Sequence, residues 1–246
     1  MKIKNILGKS GSKVSNQSIQ TNFVSLASHQ LRTPLSAIKW YLEILLSLRT
    51  GKLNKKQTQY LKEIYRSADR ATNLVNDLLD VSRIQEGEIH LDLRPIKIDK
   101  VVEEIIDNFS TLIRSSQVNI NFEIINGPLP EVEADQDKLK RVIVNLLSNS
   151  IKYTPAGGKI RIAVEKKKNF IRVSVEDSGV GIPQEEQMRI FQKFFRSANV
   201  IKLAPVGTGL GLFIARSLVE AMGGKMGFAS REGIGTTFYF TLPLKV

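Results

Sequence analysis

The stretch LRTPLSAIKWYLEIL, residues 31–45, decides the fold of the N-terminal part of the chain. Its apolar residues recur in alternating steps of four and three, at Leu31, Leu35, Ile38, Leu42 and Leu45. This heptad seam predicts one long amphipathic helix. We expect the helix to run from about Gln17 to Leu48. It should stop within Thr50-Gly51-Lys52, because glycine commonly ends helices.

A second seam follows this turn. Asn54 is suited to cap a helix that runs to about Gln85. The apolar positions of this helix are again three or four residues apart: Leu61, Ile64, Ala68, Ala71, Val75 and Leu78. Such a helical hairpin has little core of its own, and two copies make a four-helix bundle, so the pattern predicts a homodimer. A hairpin packed on the rest of its own chain is the alternative.

The pattern changes after Pro95. Predicted helices occupy 100–116, 135–153 and 211–222, and predicted strands occupy 119–125, 159–165, 171–176, 224–230 and 236–242, with short strands near 89–91 and 96. This mixture predicts an α+β two-layer sandwich with helices on one face of a mixed sheet. The chain is therefore multi-domain: a flexible lead-in (1–16), an all-α helical hairpin (17–86), a linker (87–95) and a second domain (96–246).

Composition excludes several classes of site. The chain has no cysteine, so disulfides and thiol catalysis are ruled out, and its two histidines argue against a histidine-built metal site. The net charge of +12 is spread along the chain except at Lys166-Lys167-Lys168, which we interpret as a solvated turn. We expect a surface suited to nucleotide phosphates and an acidic protein partner, and no nucleic acid. We also expect a cytoplasmic protein, membrane-tethered only through a segment outside this sequence.

His29 stands off the heptad seam, so we expect it to face solvent. An exposed histidine is most often ordinary surface. Pro34, however, removes a helical hydrogen bond one turn away and predicts a bend there. The bend would let the helical segment that carries His29 move against the rest of the hairpin, which favours a functional histidine.

The second domain contains polar and glycine-rich motifs. Asn145, Asn149 and Lys152 share one side of a predicted helix, where amide oxygens and an ammonium group suit Mg²⁺ and phosphate. DSGVG (177–181) leaves a strand through a turn, and GIGTTF (233–238) forms a second turn. GTGLGL (207–212) opens a helix, where free backbone N–H groups suit phosphate.

In their order along the chain, these motifs resemble those of sensor histidine kinases. The resemblance covers residues 22–244, from FVSLASHQLRTPL (23–35) through NLLSNSIKYT (145–154), DSGVG, FQKFFR (191–196) and GTGLGL to GIGTTF. It implies a phosphotransfer hairpin followed by an ATP-binding domain of the Bergerat/GHKL type. It also implies ATP-dependent autophosphorylation of His29, followed by transfer to an aspartate of a response-regulator receiver domain in a two-component phosphorelay.

The resemblance also implies residue roles. His29 is the phospho-acceptor with Arg32 beside it, and Thr33 orients water in members that dephosphorylate their partner. Asn149 ligates Mg²⁺, with Asn145 and Lys152 on the metal–triphosphate side, while Tyr153 flanks the nucleotide and Asp177 accepts the adenine amino group. The rest of the implied ATP-binding set is Gly179, Gly181, Phe195, Arg196, Gly207, Thr208, Gly209, Leu210, Gly211, Gly235, Thr236 and Thr237.

One residue departs from the family pattern. Gln30 stands where relatives carry Glu or Asp, and an amide oxygen can fix the imidazole tautomer but cannot take up a proton. We expect a competent but slower autokinase. The alternatives are a chain that acts mainly as a phosphatase of its partner, or a GHKL-type conformational ATPase. The latter usually has a glutamate where Asn145 stands and lacks the hairpin. A purely structural dimerisation hairpin leaves the glycine motifs unexplained.

Overall fold

The computed structural model describes residues 11–47, 51–204 and 207–244, with side chains in those ranges except at 11–26, 29 and 202. Residues 1–10 of the predicted lead-in, the predicted helix end at 48–50 and the solvent exposure predicted for the His29 side chain lie outside this description. The chain divides into two compact units between Glu88 and Ile89. The predicted limits of the linker stay predictions. Among the described helices, none has both the length and the apolar character needed to cross a membrane.

The first unit is a helical hairpin of α1 (Gly11–Leu46) and α2 (Lys55–Glu86). Helix α1 already includes 11–16, which we predicted as flexible, and it continues through Pro34; the bend stays a prediction. Asn54 caps α2 as predicted, by accepting a hydrogen bond from the Gln57 backbone. Gly87 ends α2 in the left-handed conformation, with φ of 73°.

The heptad seam divides into two flanks in the hairpin. Leu42 on α1 and Val75 on α2 are buried between the two helices. Leu31 and Ile38, which belong to the same predicted seam, are 51% and 45% exposed. Ile64 on α2 is also 50% exposed. One flank therefore joins the two helices of a chain, and the other flank is uncovered apolar surface.

The second unit has the following order: β1 (Arg94–Ile96), α3 (Ile98–Ser116), β2 (Asn119–Ile125), β3 (Val132–Ala134), α4 (Gln136–Tyr153), β4 (Lys159–Lys166), β5 (Phe170–Asp177), a 3₁₀ segment (Gln184–Arg189), α5 (Ala198–Leu203), α6 (Gly211–Ala221), β6 (Lys225–Arg231) and β7 (Gly235–Pro243). Five strands form a mixed sheet in the order β2-β4-β5-β7-β6, in which only β2 and β4 pair in parallel. The predicted α+β sandwich is confirmed.

Some short elements differ from the predictions. The strand predicted at 89–91 is wrong, because these residues lie outside any strand and only Arg94–Ile96 pairs with β3. Strand β3, helix α5 and the 3₁₀ segment were missed. Each of these three is at most six residues long, too short for hydrophobic periodicity to show.

The periodicity of one helix and of one strand positions the residues of the site. On α4, a buried apolar stripe leaves Asn145 and Asn149 half-buried along one flank. On β5, Val173 and Val175 face the helices, whereas Glu176 faces away from them. Asp177 is the next inward residue, so a carboxylate follows directly on an apolar row and lies beneath the helices.

Candidate functional site

The carboxylate of Asp177 is the centre of a buried hydrogen-bond network. Its Oδ2 accepts a hydrogen bond of 3.0 Å from the Ser150 hydroxyl on α4. Its Oδ1 accepts backbone N–H bonds from Gly179 at 3.0 Å and from Thr236 at 3.3 Å. Burial raises the pKa of Asp177, and these three hydrogen bonds oppose that rise. A carboxylate offers about four acceptor positions, so one remains for a further donor.

The turn before β7 closes against this carboxylate. A Cβ on Gly235 would lie 1.9 Å from the Asp177 backbone oxygen, and Gly235 has φ of 143°, so no other residue fits. Ser230 ties the turn together, because its hydroxyl donates to the Gly235 carbonyl at 3.0 Å and lies 2.8 Å from the Thr236 hydroxyl. Thr237 does not belong to this set. It faces the opposite side of β7 from Thr236 but lines the same cavity as Asp177 and Thr236, and its predicted place in the nucleotide pocket stays a prediction.

The two predicted amides meet the start of helix α6. The Asn149 amide nitrogen donates to the Asn145 amide oxygen at 3.3 Å. A Cβ on Gly211 would lie 2.0 Å from the Asn145 amide nitrogen, so glycine lets the first turn of α6 approach α4. The Asn149 amide oxygen accepts no hydrogen bond within the described residues, which leaves it available to a cation.

Two cations and a tyrosine surround the start of the glycine run. A Cβ on Gly207 would lie 3.3 Å from both the Lys152 Nζ and the Arg196 guanidinium. Burial, together with the nearby Arg196 charge, lowers the pKa of Lys152. Burial raises the pKa of Tyr153, while a hydrogen bond from Arg196 and its charge oppose this rise. An anion placed here would relieve the repulsion between Lys152 and Arg196.

The phenylalanine-rich segment packs on the same glycine run. A Cβ on Gly209 would lie 2.8 Å from the Phe195 backbone oxygen. The Arg189 guanidinium lies 4.5 Å from the Phe195 ring centroid. The Thr208 hydroxyl accepts a hydrogen bond of 3.2 Å from the Leu210 N–H. These contacts place Phe195, Thr208 and Leu210 close to one another, and their predicted part in ATP binding stays a prediction.

The predicted phosphotransfer residues lie on α1. Arg32 donates from Nη2 and Nε to the Asn76 amide oxygen of α2, at 2.8 and 3.1 Å. Gln30 and Thr33 are exposed. His29 lies on the same helix one residue before Gln30. Asn76 was missed by sequence reasoning, because a polar residue on the flank of a helix carries no signal of its partner.

Ser150 and Ser230 were also missed. Ser150 lies on the buried apolar stripe of α4, beside Ile143 and Leu147, and a lone hydroxyl on such a stripe is the signal that indicates a buried polar partner. Ser230 had no comparable signal. Its role depends on the pairing of β6 with β7, which places it opposite Thr236.

Family models match both units. The "His Kinase A (phospho-acceptor) domain" model matches residues 19–87. The "Histidine kinase-, DNA gyrase B-, and HSP90-like ATPase" model matches residues 134–246. Sensor histidine kinase WalK of Bacillus subtilis is 37% identical over 231 residues, which are 91% of this chain and 36% of WalK. The chain thus spans about a third of the length of such relatives.

Solved structures show the same likeness. Full-length ShkA in complex with AMPPNP matches with a TM-score of 0.76 and 28% identity, over 92% of this chain and 46% of ShkA. The catalytic domain of histidine kinase ThkA is 33% identical with a TM-score of 0.54, over 62% of this chain and 97% of that domain. ThkA in complex with its response regulator protein TrrA matches with a TM-score of 0.61 and 28% identity, over 94% of this chain and 64% of that one. The chain belongs to the sensor histidine kinase family, with a His Kinase A phospho-acceptor domain followed by a GHKL-type ATPase domain.

Proposed function

We propose that this chain is an ATP-dependent protein-histidine kinase core that phosphorylates His29 and passes the phosphoryl group to a response regulator. The observation that carries the proposal is the occurrence in one chain of a phospho-acceptor hairpin and a buried carboxylate, Asp177, which keeps one acceptor position. ShkA binds AMPPNP and ThkA binds a response regulator, which supports the same assignments here.

The described residues fit ATP and Mg²⁺. Asp177 offers its remaining acceptor position to the adenine amino group. Lys152 and Arg196 offer positive charge to a triphosphate next to the glycine run. The free amide oxygen of Asn149 is a ligand that Mg²⁺ accepts, with water and phosphate oxygens completing the shell. Asn145 orients Asn149 through their hydrogen bond.

The proposed reaction joins these residues to His29. Bound ATP and Mg²⁺ supply the γ-phosphoryl group and neutralise its charge. Neutral imidazole, with a reference pKa of about 6.5, has a lone pair for in-line attack. An N–P bond forms, the bond to the ADP oxygen breaks, and the ring proton goes to water because Gln30 cannot take it. The acceptor and the nucleotide site belong to different units, so transfer requires that they meet, which the linker at 87–95 allows.

The first prediction concerns His29 itself. Incubation with γ-labelled ATP should give acid-labile, base-stable phosphate on the parent chain and none on His29→Ala, because only a phosphoramidate has this stability. His90, the second histidine, is exposed and provides the matched control, so His90→Ala should label normally. Label on His29→Ala, or its absence from the parent chain, would contradict the assignment.

The second prediction concerns Gln30. A glutamate there accepts both the ring N–H bond and the proton, so Gln30→Glu should raise the autophosphorylation rate about tenfold or more, in the range of general-base effects. Gln85, on α2, is an exposed glutamine whose change to glutamate adds the same charge, and Gln85→Glu should leave the rate unchanged. An unchanged rate in Gln30→Glu sinks this explanation.

The third prediction concerns phosphatase activity, the second candidate function. Thr33 is exposed one helical turn after His29, a position from which its hydroxyl can orient water. Thr33→Ala should keep self-phosphorylation while reducing dephosphorylation of the phosphorylated regulator roughly tenfold. A Thr33→Ser variant retains the hydroxyl and should keep both activities. Equal loss of both activities in Thr33→Ala would remove Thr33 from this role.

The proposed assembly is a homodimer through the uncovered apolar flank of the hairpin. Leu31, Ile38 and Ile64 are about half exposed in a single chain, and a second copy would bury them in a four-helix bundle. Light scattering should therefore give about twice the 27.5 kDa mass of the chain, and a monomeric mass at micromolar concentration would contradict the bundle. We place the active chain on the cytoplasmic side, where ATP and response regulators occur.

A further inference from the structure

A trough lies at the Lys159 end of strand β4, lined by outward-facing residues of the sheet and, at one side, by Asp177, Ser230 and Thr236 of the candidate site. It has a volume of about 570 Å³, within the range of known ligand sites. Thr237, the predicted pocket residue that proved to face outward, lies in its floor. The proposed kinase reaction uses Asp177 but gives no role to the exposed Lys159 and Arg231 of this trough.

Strand register explains why the trough exists. Two rows of residues cross the sheet from β4 through β5 and β7 to β6. In one row the residue in line with β5 directly follows the end of that strand. The first row runs through Lys159, Ser178, Gly235 and Arg231, and the second through Arg161, Glu176, Thr237 and Ala229. Long charged side chains stand at the ends of the first row and small residues in its middle. Gly235 cannot carry a side chain because its Cβ would meet the Asp177 backbone, so the middle stays open.

Some charged side chains of the trough form ion pairs and others do not. The Arg161 guanidinium forms ion pairs with Glu123 and with Glu176. Lys159 and Arg231 are both exposed, and neither forms an ion pair within the described parts of the chain. The trough therefore has one unpaired positive charge at each end. A ligand that complements it must be anionic at two places.

The separation of these two charges limits the ligand. Three strand spacings separate β4 from β6, which is about 14 Å. This distance is too long for one phosphate or one carboxylate group to bridge. In an extended peptide, residues i and i+4 are about 14 Å apart and project from the same face. Ser178 and Thr237 line the middle of the trough, and Ile234, 59% exposed at its lip, offers an apolar contact.

We propose that this trough docks an extended acidic peptide segment of a partner protein, with carboxylates at positions i and i+4. One carboxylate pairs with Lys159 and the other with Arg231. The small residues between the two acidic positions lie over Gly235 and Ser178. The trough borders the candidate nucleotide site at Asp177 and Thr236, but Lys159 and Arg231 are not among the residues assigned to ATP, and the docking does not depend on the proposed kinase activity.

The test uses a fluorescently labelled peptide with the core Glu-Ser-Gly-Ser-Glu. Its anisotropy is measured with the full chain, preloaded with a non-hydrolysable ATP analogue so that Lys152 and Arg196 are occupied. We expect saturable binding that Lys159→Glu/Arg231→Glu weakens about tenfold, since two exposed attractions become repulsions. Lys166→Glu/Lys168→Glu makes the same charge change at the other end of β4 and should leave binding unchanged.

Two further measurements separate shape from charge. Ala229→Trp fills the trough without changing charge and should weaken the peptide about as much as the charge reversal. A peptide with the core Glu-Glu-Ser-Gly-Ser has the same charge at the wrong spacing and should bind several-fold more weakly. Retained nucleotide binding in every variant shows that the fold is intact. Absence of peptide binding to the parent chain, equal losses in both charge-reversal variants, or indifference to Ala229→Trp or to the spacing overturns the proposal.

Discussion

Asp177→Asn is expected to weaken nucleotide binding roughly a hundredfold, or about 3 kcal/mol. The amide has one acceptor oxygen instead of two. Its NH₂ group, a donor, would stand where the adenine amino group, also a donor, needs an acceptor. Equilibrium titration with a fluorescent ATP analogue measures this loss. Glu176→Gln is the matched control. That neighbouring carboxylate faces away from the helices, pairs with Arg161 and should be dispensable for the nucleotide.

Loss of the fold should not accompany this change. The pKa of Asp177 is raised by burial, so the folded chain binds this proton more tightly than the unfolded chain does. Between the unfolded and folded pKa values, the contribution of Asp177 to stability therefore falls as pH rises, and its ionised form costs stability at neutral pH. Asp177→Asn should keep or raise the melting temperature. Affinity within about threefold of the parent chain would contradict the adenine role.

The same raised pKa predicts a pH dependence of binding. Nucleotide affinity should be full above the folded pKa of Asp177 and fall as pH drops through it, because the protonated carboxyl loses its acceptor position. Burial moves this fall to a higher pH than an ordinary aspartate would show. Glu176→Gln should show the same fall in affinity. If the fall disappears in that variant, the titrating group is Glu176 and not Asp177.

Gly211→Ala is expected to slow autophosphorylation roughly a hundredfold while leaving adenine binding nearly unchanged. The added Cβ would lie 2.0 Å from the Asn145 amide nitrogen, so the Asn145 side chain must leave its place and release Asn149. Misplacement of positioning groups by about 1 Å can cost this much in rate. Single-turnover labelling measures the rate, and the fluorescent analogue measures binding.

Gly207→Ala is the control for this prediction. Its Cβ would lie 3.3 Å from the flexible ends of Lys152 and Arg196, which can move aside, so its effect should be much smaller. Alanine is also the better helix former, so Gly211→Ala should not lose stability through its place at the start of α6. A normal labelling rate in Gly211→Ala would show that Asn145 does not position the metal–triphosphate group.

The long elements were predictable because their periodicity is strong. Helix α2 is 32 residues long, follows a heptad pattern from Leu61 to Leu78 and has a capping residue, Asn54, at the predicted position. Strand β2 has the predicted bounds, Asn119–Ile125. Elements of three to six residues were missed, because so few residues cannot show a period. Strand β3 is recognisable only by its pairing with β1.

The site was predictable where a residue type has few alternative uses. Two amides and a lysine on one flank of α4, and an aspartate leaving a strand before glycines, identified Asn149 and Asp177 as candidates. Thr236 and Thr237 are adjacent and chemically identical, and only the register of β7 decides that Thr236 meets Asp177 while Thr237 faces outward.

The sequence alone determined the hairpin, the sandwich and the resemblance of the stretch around His29 to a phospho-acceptor box, because these depend on local periodicity and on motifs of neighbouring residues. Only the tertiary structure decided how the heptad seam divides into a buried and an uncovered flank. It also decided that Ser150 supports Asp177 and that Lys159 and Arg231, which form no ion pair within the described residues, stand at the ends of a trough that reaches Asp177. The physical reason is that strand pairing and helix packing bring together residues far apart in the chain, and no local period encodes those contacts.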